Sequence, residues 1–280
     1  MPTSGVSPKN YKRLFNLKGK NAVVTGGVGL LGRRFCSGLA SAGANVAVVD
    51  LDQKTVSAFV RELQKIYGIR AVGIACDVSS PKSVTSMVKN VVKKLGSIQI
   101  LHNNAATKST DLDSFFAPFE QYDLKEWRKI MAVNIDGVFL VAQAVGKQMI
   151  RQGKGGSIIQ TASIYGVVAP DPRIYEGSFY LGRQISSPAV YSASKGAVVA
   201  LTKYLAAYWA EKNIRVNTLT PGGAESGQND LFQSKYSHRV PMGRMARPDE
   251  LVGALLYLAS DASSYVTGHN LIVDGGLCAW

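Results

Sequence analysis

Cysteine and histidine are scarce in this sequence, which holds three of each among 280 residues. Cys36, Cys76 and Cys278 lie far apart, and their spacing matches no metal or redox motif. The histidines include no pair with the HExxH spacing of a zinc-binding helix. We therefore expect no metal site, and we expect the cysteines to be unpaired thiols in a reducing compartment.

Long apolar runs are missing as well. No apolar run in the sequence approaches the length of about 20 residues that crosses a bilayer as a helix. The first 20 residues also lack the apolar core of a signal peptide. These two absences predict a cytoplasmic protein that does not associate with membranes.

Acidic residues are outnumbered, since 32 Lys and Arg against 19 Asp and Glu give a net charge of +13. The basic residues are spread along the chain with a mild cluster at 9–20, and no basic motif is interleaved with aromatic residues. We expect a basic N-terminal extension at residues 1–16, a solvated basic surface elsewhere, and no nucleic-acid binding. Electrostatic steering of an anionic substrate, such as a phosphorylated or nucleotide-linked sugar, stays open as an alternative.

Short apolar runs rich in β-branched residues alternate with amphipathic stretches along the whole chain. Strands are predicted at residues 21–26, 45–50, 71–76, 98–103, 156–163, 214–220 and 270–275. Helices are predicted from the glycine-rich loop to about residue 42 and at 54–67, 81–95, 124–150, 189–212 and 249–260. Continuous Val, Ile and Leu runs indicate strands buried on both faces of a parallel sheet. We predict a single α/β domain at residues 17–280, with a doubly wound (Rossmann-type) sheet in three α/β/α layers.

The segment TGGVGLLG (25–32) follows the first predicted strand and opens the first predicted helix, as a dinucleotide-binding loop does. Gly26, Gly29 and Gly32 would let the backbone approach a pyrophosphate, which would bind the free amides at the start of the helix. Leu31, in the same loop, is also predicted to contact the cofactor. A tight strand-to-helix turn without a ligand is the simpler alternative.

Asp50 ends the second predicted strand. A carboxylate there accepts hydrogen bonds from the adenosine ribose and repels a 2′-phosphate, so NAD is the predicted cofactor. Arg33 and Arg34 are close in sequence to the glycine loop and keep NADP possible.

Hydride transfer to or from a carbonyl needs a group that exchanges the alcohol proton. The segment YSASK (191–195) places Tyr191 and Lys195 four residues apart, on one face of a helix. A tyrosine with an ordinary pKa of about 10 is a poor base at neutral pH, and a nearby lysine ammonium lowers that pKa. Ser163, at the end of the fifth predicted strand, could donate a hydrogen bond to the substrate oxygen.

A second Tyr-x-x-x-Lys pair, Tyr208 and Lys212, lies further along the same predicted helix. We assign the chemistry to Tyr191 because it lies at the amino-terminal end of that helix, which faces the crevice of an open α/β sheet. Tyr208 is then expected to be a packing or surface residue.

Eight motifs occur along the chain in a fixed order. They are TGGVGLLG (25–32), CDV (76–78), NNAA (103–106), VNIDGVF (133–139), TAS (161–163), YSASK (191–195), RVNTLTPGG (215–223) and VTGHNLIVDGG (266–276). Through them the chain resembles the short-chain dehydrogenase/reductase family over residues 17–276. The resemblance implies an NAD(P)-dependent oxidoreductase that forms homodimers or homotetramers through the two long predicted helices and the last strand.

The resemblance also implies roles for individual residues. Asn134 would complete the catalytic set with Ser163, Tyr191 and Lys195 by holding a water beside the lysine, and Tyr191 and Lys195 would also contact the cofactor. Further cofactor contacts implied by the resemblance are Asp77, Val78, Asn103, Ala105, Pro221, Gly222, Ala224 and Ser226. The glycine spacing in TGGVGLLG departs from the compact members of the family, and NNAA replaces the commoner NNAG.

Ser163 and Tyr191 are separated by about twice the gap found in compact relatives, which predicts an insertion at about residues 165–189 over the cleft. Its prolines disfavour regular helix or strand. The insertion is either a surface loop that packs on its own domain or a neighbour, or a wall that binds a hydroxyl-rich or anionic substrate. Its candidate substrate contacts are Tyr165, Tyr175, Glu176 and Arg183.

The predicted function is hydride transfer between NAD and an alcohol or carbonyl group, with a sugar or sugar derivative as the substrate. The stretch from SIYGVVAPD to YSASK is similar to dehydrogenases of flagellin-glycan and surface-polysaccharide sugar biosynthesis. One alternative is a reductase of 3-ketoacyl or other apolar carbonyls. A non-enzymatic NAD-binding regulator is a third possibility, but a damaged catalytic set would be expected of it, and this set is complete.

Overall fold

The computed structural model describes residues 11–109 and 111–280, in which strands and helices alternate as the sequence predicts. The strands are β1 Asn21–Thr25, β2 Asn45–Asp50, β3 Ala71–Ala75, β4 Ile100–Asn103, β5 Gly156–Thr161, β6 Phe179–Tyr180, β7 Arg183–Gln184, β8 Ile214–Pro221 and β9 Asn270–Val273. The helices are α1 Leu30–Ser41, α2 Gln53–Tyr67, α3 Pro81–Leu95, α4 Leu112–Phe115, α5 Leu124–Met131, α6 Val138–Gln152, α7 Ala189–Trp209, α8 Asp230–His238 and α9 Val252–Ala259.

Seven strands form one parallel sheet in the order β3-β2-β1-β4-β5-β8-β9. The apolar strand sequences are buried on both faces, and all five residues of β1 (NAVVT) are buried. Helices α3, α6 and α7 cover one face of the sheet, and α1, α2 and α9 cover the other. The predicted doubly wound, three-layer α/β/α fold is therefore confirmed.

The sheet winds outward in both directions from β1. The chain runs from β1 through β2 to β3 on one side and then returns to β4 on the other side. The connections that follow β1 and β4 diverge, so they leave a crevice at the carboxyl ends of these strands, where open α/β sheets bind ligands. The glycine loop follows β1, Asp50 ends β2 and Ser163 follows β5, so all three lie at the carboxyl edge of the sheet.

The helix predicted at 124–150 is continuous but not uniform, because α5 passes into a π-helical segment, Ala132–Gly137, before α6 begins. The resulting stretch, Leu124–Gln152, is the one helix in the described residues that is long and apolar enough to cross a membrane. It passes this test by length and composition only, because charged and polar residues such as Asp136 interrupt its apolar residues. Val141, Val145 and Met149 of α6 are buried in the core beneath the sheet, which accounts for the apolar composition.

Two other predicted helices have different bounds, and two helices were missed. The helix predicted at 249–260 is a 3-10 turn, Pro248–Leu251, followed by α9. Helix α7 ends at Trp209 and continues to Lys212 only as a 3-10 turn. Neither α4 nor α8 was predicted, because their short sequences carry little apolar periodicity.

The predicted insertion at 165–189 has regular structure despite its prolines. Pro172–Tyr175 form a 3-10 turn, and β6 pairs with β7 as an antiparallel hairpin. The two residues that connect them, Leu181 and Gly182, have φ values of 49° and 77°, as a tight hairpin turn requires.

The insertion also packs on its own domain. Ile174 and Tyr175 are buried in a small cluster with Phe232 and Tyr236 of α8. The rings of Tyr175 and Phe232 have centroids 5.5 Å apart. The insertion and α8 therefore stabilise each other beside the crevice.

Residues 1–10 of the predicted N-terminal extension lie outside the described residues. Tyr11–Phe15 form an exposed 3-10 turn. Leu17 is buried, and its amide donates a hydrogen bond of 2.9 Å to the oxygen of Ala42. The domain boundary at residue 17 stays a prediction.

Candidate active site

The loop after β1 has a geometry that requires glycine at two positions. Gly26 has a φ of 64°, in the left-handed region. A Cβ on Gly32 would lie only 2.0 Å from the main-chain oxygen of Gly26. Gly29 directly precedes α1, which has no capping side chain among the described residues. The first amides of α1 are therefore available to an anion.

A cavity of about 520 Å³ lies beside this loop, at the carboxyl ends of β1, β2 and β3. Eight of the predicted cofactor residues line it: Gly26, Gly29, Leu31, Gly32, Asp50, Asp77, Val78 and Ala105. A side chain at Gly32 would fill the space between the glycine loop and α1. The residues present therefore fit a nucleotide whose phosphates bind at the amino-terminal end of α1.

The charged side chains that line this cavity are two carboxylates, those of Asp50 and Asp77. Asp50 Oδ2 accepts a hydrogen bond of 3.0 Å from the amide of Val28, which ties the carboxylate to the glycine loop. Both arginines near the loop have other partners. The Arg33 guanidinium lies 4.5 Å from the centre of the Phe59 ring, and Arg34 pairs with Asp249 at 3.6 Å.

Asn103, predicted to line the cofactor cleft, is instead buried within the sheet. Its Nδ2 donates to the oxygen of Val138 at 2.8 Å and to Gln160 Oε1 at 3.1 Å, so its amide is already occupied. The next residue, Asn104, lines the cavity and donates from Nδ2 to the oxygen of Thr25 at 3.2 Å. The side chain that reaches the cleft is therefore that of Asn104, because successive side chains at a strand end point to opposite sides.

A second cavity, of about 280 Å³, adjoins the first and shares Leu30, Leu31, Asn104 and Ala106 with it. The predicted residues that line it are Ser163, Tyr191, Lys195, Pro221, Gly222, Ala224 and Ser226. The structure thus brings together three of the four predicted catalytic residues and the predicted residues that follow β8.

Ser163 and Tyr191 meet despite their distance in sequence, because the turn after β5 packs closely on α7. A Cβ on Gly166, in that turn, would lie 2.5 Å from the carbonyl carbon of Lys195. Burial raises the pKa of Tyr191, and a hydrogen bond from Ser163 partly opposes the rise. The net direction is upward, opposite to the lowering predicted from the neighbouring lysine, because burial of the phenolate outweighs its stabilisation.

Lys195 is buried, and its Nζ donates a hydrogen bond of 3.0 Å to the main-chain oxygen of Thr161. The ammonium lies 5.8 Å from the centre of the Tyr191 ring, as the predicted spacing on one helix face requires. Burial lowers the pKa of Lys195 to about 8.

Asn134 lies in the π-helical segment and is fully buried. Its Oδ1 accepts from the amide of Thr107 at 2.8 Å, and its Nδ2 lies 3.5 Å from Ser194 Oγ. The π turn therefore places Asn134 between the loop after β4 and the residue beside Lys195. The predicted water beside the lysine stays a prediction.

A third cavity, of about 640 Å³, opens beside Tyr191 and Ser226 and is walled by the insertion. Tyr165 and Tyr175, two of the four candidate substrate residues, line it. The Tyr175 hydroxyl donates a hydrogen bond of 3.0 Å to that of Tyr165. The insertion therefore presents hydroxyl groups to the chamber next to the candidate acid/base.

The other two candidate substrate residues lie elsewhere. The Arg183 guanidinium binds Asp113 at 2.9 Å, and Glu176 pairs with Lys235 at 3.8 Å. Neither residue lines the cavity, and their charges are paired at the surface of the insertion, so their contact with substrate stays a prediction.

Several cavity residues were not predicted. Phe115 and Phe116 come from α4 and its end, and Gln228 and Asn229 precede α8. None of them belongs to a motif, so the sequence carried no signal for them. The alternative tyrosine, Tyr208, is 66% exposed on α7 and lines none of these three cavities, as expected.

A family model described as Enoyl-(Acyl carrier protein) reductase matches residues 29–278. A solved short-chain type dehydrogenase/reductase from Mycobacterium marinum is 36% identical and superposes with a TM-score of 0.83, covering 95% of this chain and 98% of that one. The chain is a short-chain dehydrogenase/reductase. Members of this family transfer hydride between a nicotinamide cofactor and an alcohol or carbonyl group. The chain is therefore an oxidoreductase that acts on alcohol or carbonyl groups.

Curated relatives of this short-chain dehydrogenase/reductase include Sorbose reductase SOU1 of Candida albicans, which is 36% identical over 96% of this chain and 90% of its own. D-threitol dehydrogenase of Mycolicibacterium smegmatis is 35% identical over 94% of both chains. A gluconate 5-dehydrogenase from Burkholderia cenocepacia, solved with NADP and tartrate, is 34% identical with a TM-score of 0.84, covering 95% of this chain and 98% of its own.

Proposed function

We propose that this short-chain dehydrogenase/reductase interconverts a secondary alcohol and a ketone on a sugar or polyol, with Tyr191 as the acid/base. The observation that carries the proposal is that Tyr191 lines both the catalytic cavity, together with Ser163, and the hydroxyl-lined chamber of about 640 Å³. The relatives named for sorbose and threitol support a polyhydroxylated substrate.

In the direction of reduction, the chemistry that a nicotinamide held in the nucleotide cavity would supply is hydride for the carbonyl carbon. The Ser163 hydroxyl donates a hydrogen bond to the substrate oxygen, and Tyr191 gives that oxygen its phenolic proton. The Lys195 ammonium stabilises the phenolate that is left, and Asn134 holds the path by which the proton is replaced. In the direction of oxidation, the same groups take the alcohol proton.

The test is turnover by Tyr191→Phe with a panel of ketoses, polyols, their phosphates, nucleotide-linked sugars and 3-ketoacyl thioesters. The variant keeps the ring and removes the phenolic proton, so we expect kcat to fall by about 10²–10⁴-fold while NADH still binds. Tyr208→Phe, which alters the exposed tyrosine of the second motif, is the matched control and should keep wild-type kcat. Retained turnover by Tyr191→Phe would overturn the assignment.

A reductase of apolar carbonyls is the second candidate, and one observation favours it. Phe115, Phe116, Phe179 and Ile185 form an apolar side of the same chamber, and the matching family model carries the name of an acyl-carrier-protein reductase. Higher kcat/KM for 3-ketoacyl thioesters than for ketoses in the same panel would select this function. The similarity to flagellin-glycan and surface-polysaccharide enzymes stays a prediction. Turnover of the nucleotide-linked sugars in the panel tests it.

NAD is the cofactor that the nucleotide cavity favours. Its lining charges are the carboxylates of Asp50 and Asp77, and Arg33 and Arg34 are engaged with other side chains. A 2′-phosphate would therefore meet negative charge without a basic partner.

A homodimer or homotetramer in the cytoplasm completes the proposal. Tyr204 and Tyr208 on α7 are 64% and 66% exposed and stack with centroids 5.7 Å apart. An aromatic pair that is stacked yet exposed on a long helix is a suitable surface for a second copy. Light scattering at the mass of a monomer would contradict it.

A further inference from the structure

A histidine lies buried in the sheet, on the face that α1 covers. His102 in β4 is fully buried, and its ring packs edge-on against Phe35 of α1 with centroids 4.5 Å apart. The rest of that face carries apolar side chains such as Val24 and Ile100. An imidazole in such surroundings needs a hydrogen-bond partner.

That partner is Thr161, the last residue of β5. His102 Nε2 lies 2.8 Å from Thr161 Oγ1, and Thr161 Oγ1 lies 3.4 Å from Asn104 Oδ1. The amide oxygen of Asn104 can only accept, so the Thr161 hydroxyl donates to it. His102 then donates from Nε2, and its unpartnered Nδ1 is a lone pair rather than an orphan N–H.

Thr161 connects this histidine to Lys195 in the catalytic cavity and to Asn104 beside the nucleotide cavity. Its main-chain oxygen accepts the 3.0 Å hydrogen bond from Lys195 Nζ, and Thr161 itself lines the catalytic cavity. Asn104, at the other end of the hydrogen bond, lines both the nucleotide cavity and the catalytic cavity. Thr161 is therefore the single residue that lies between His102 and either the ammonium of Lys195 or the amide of Asn104.

We propose that His102 is a positioning residue, which fixes Thr161 and through it the ammonium of Lys195 and the amide of Asn104. The proposal rests on the role assigned above to Lys195. His102 touches neither the substrate chamber nor the nucleotide cavity, so it acts only through these neighbours. Its ring stays neutral, because burial lowers the pKa of His102 to about 3.

The test compares variants that remove the hydrogen bond with variants that keep it. His102→Leu and Thr161→Val lose it, whereas His102→Gln retains a donor of similar reach and Thr161→Ser retains the hydroxyl. We expect His102→Leu and Thr161→Val to lower kcat by about tenfold or more with KM for the sugar nearly unchanged. His102→Gln and Thr161→Ser should recover most of that loss. Folding of each variant is checked by its melting temperature.

The matched control is Ser157→Ala, which removes another buried hydrogen bond from the same strand, the one of 2.7 Å to the oxygen of Leu258. It should lower stability and leave kcat unchanged. A folded His102→Leu with wild-type kcat would overturn the proposal. So would a loss of kcat in Ser157→Ala equal to that in His102→Leu, because any buried hydrogen bond of β5 would then suffice.

A binding measurement separates failure of this proposal from failure of the proposed function. NADH affinity, followed by fluorescence, is measured for His102→Leu, Lys195→Met and the double variant. If His102 acts through Lys195 and Asn104, the two changes in the free energy of NADH binding are not additive, whichever carbonyl the enzyme reduces. Additive effects would overturn the coupling, while loss of turnover on every sugar with non-additive binding would overturn only the proposed substrate.

Discussion

At the scale of single residues, cofactor choice depends on the carboxylate of Asp50. Its Oδ2 holds the amide of Val28, so a truncated side chain would disturb the glycine loop as well as the charge. Asp50→Asn removes the charge and keeps an oxygen that accepts from that amide. We expect kcat/KM for NADPH relative to NADH to rise by about tenfold, because the repulsion of the 2′-phosphate is removed.

The control for that change is Asp77→Asn, which neutralises the other carboxylate of the nucleotide cavity. Asp77 follows β3, and its Oδ1 accepts hydrogen bonds from the Ser79 amide at 2.9 Å and from the Ser79 hydroxyl at 2.7 Å. It should alter the NADPH preference less than Asp50→Asn does. An unchanged preference in Asp50→Asn would contradict the proposed selectivity.

Spacing along the chain predicts some of the site and not the rest. The face shared by Tyr191 and Lys195 follows from helix periodicity, and the structure places the ammonium 5.8 Å from the ring. The choice between Asn103 and Asn104 depends on where β4 ends, which is set by pairing with its neighbours. The hydrogen bond from Lys195 to Thr161 could not be predicted from the sequence, because no local pattern relates residues 34 positions apart. It follows only from the packing of the folded sheet.

At the scale of elements, the insertion is where substrate selectivity is expected to lie. Tyr175 reaches the chamber because its 3-10 turn is held on α8, and its hydroxyl pairs with that of Tyr165. Tyr175→Phe keeps the packing and removes one hydroxyl from the wall. We expect KM for a polyol to rise about 3- to 10-fold with kcat retained, because one substrate hydrogen bond is lost.

The comparison variant for Tyr175→Phe is Tyr204→Phe, on the exposed face of α7. It loses a hydroxyl of the same kind outside the chamber and should keep the KM of the wild type. Equal KM values for wild type and Tyr175→Phe, measured with the same polyol, would exclude this hydroxyl from substrate binding.

Elements differ in how far the sequence determines them. Strands such as β2 (NVAVVD) were predictable because a continuous apolar run on a parallel sheet is buried on both faces. Helix α8 (DLFQSKYSH) has few apolar residues, and its Phe232 and Tyr236 pack on the insertion. Two segments that depend on each other for burial carry too weak a local pattern to be predicted separately.

At the scale of the whole molecule, buried His102 makes the free energy of unfolding depend on pH. The unfolded chain binds a proton at His102 with an ordinary pKa of about 6.5, whereas burial holds the folded value at about 3. The folded state therefore gains stability from this residue above pH 6.5, and it loses that stability as the pH falls from 6.5 towards 3. Asp171 and Glu250, whose pKa values are lowered to about 2 by Arg173 and Arg244, add their own acid dependence at lower pH.

His102→Gln isolates the histidine, because every other titrating group is common to the two proteins. The free energy of unfolding in urea, measured at pH 7, 6, 5 and 4, should fall more steeply for the wild type than for His102→Gln. The difference should reach about 1.4 kcal/mol per pH unit once the pH is well below 6.5, since one extra proton binds the unfolded chain. Above pH 7 the two curves should run parallel, because the imidazole is neutral in both states. Parallel curves down to pH 4 would mean that His102 is protonated in the folded protein, and hence that Thr161 and Asn104 lie around an imidazolium rather than a neutral ring.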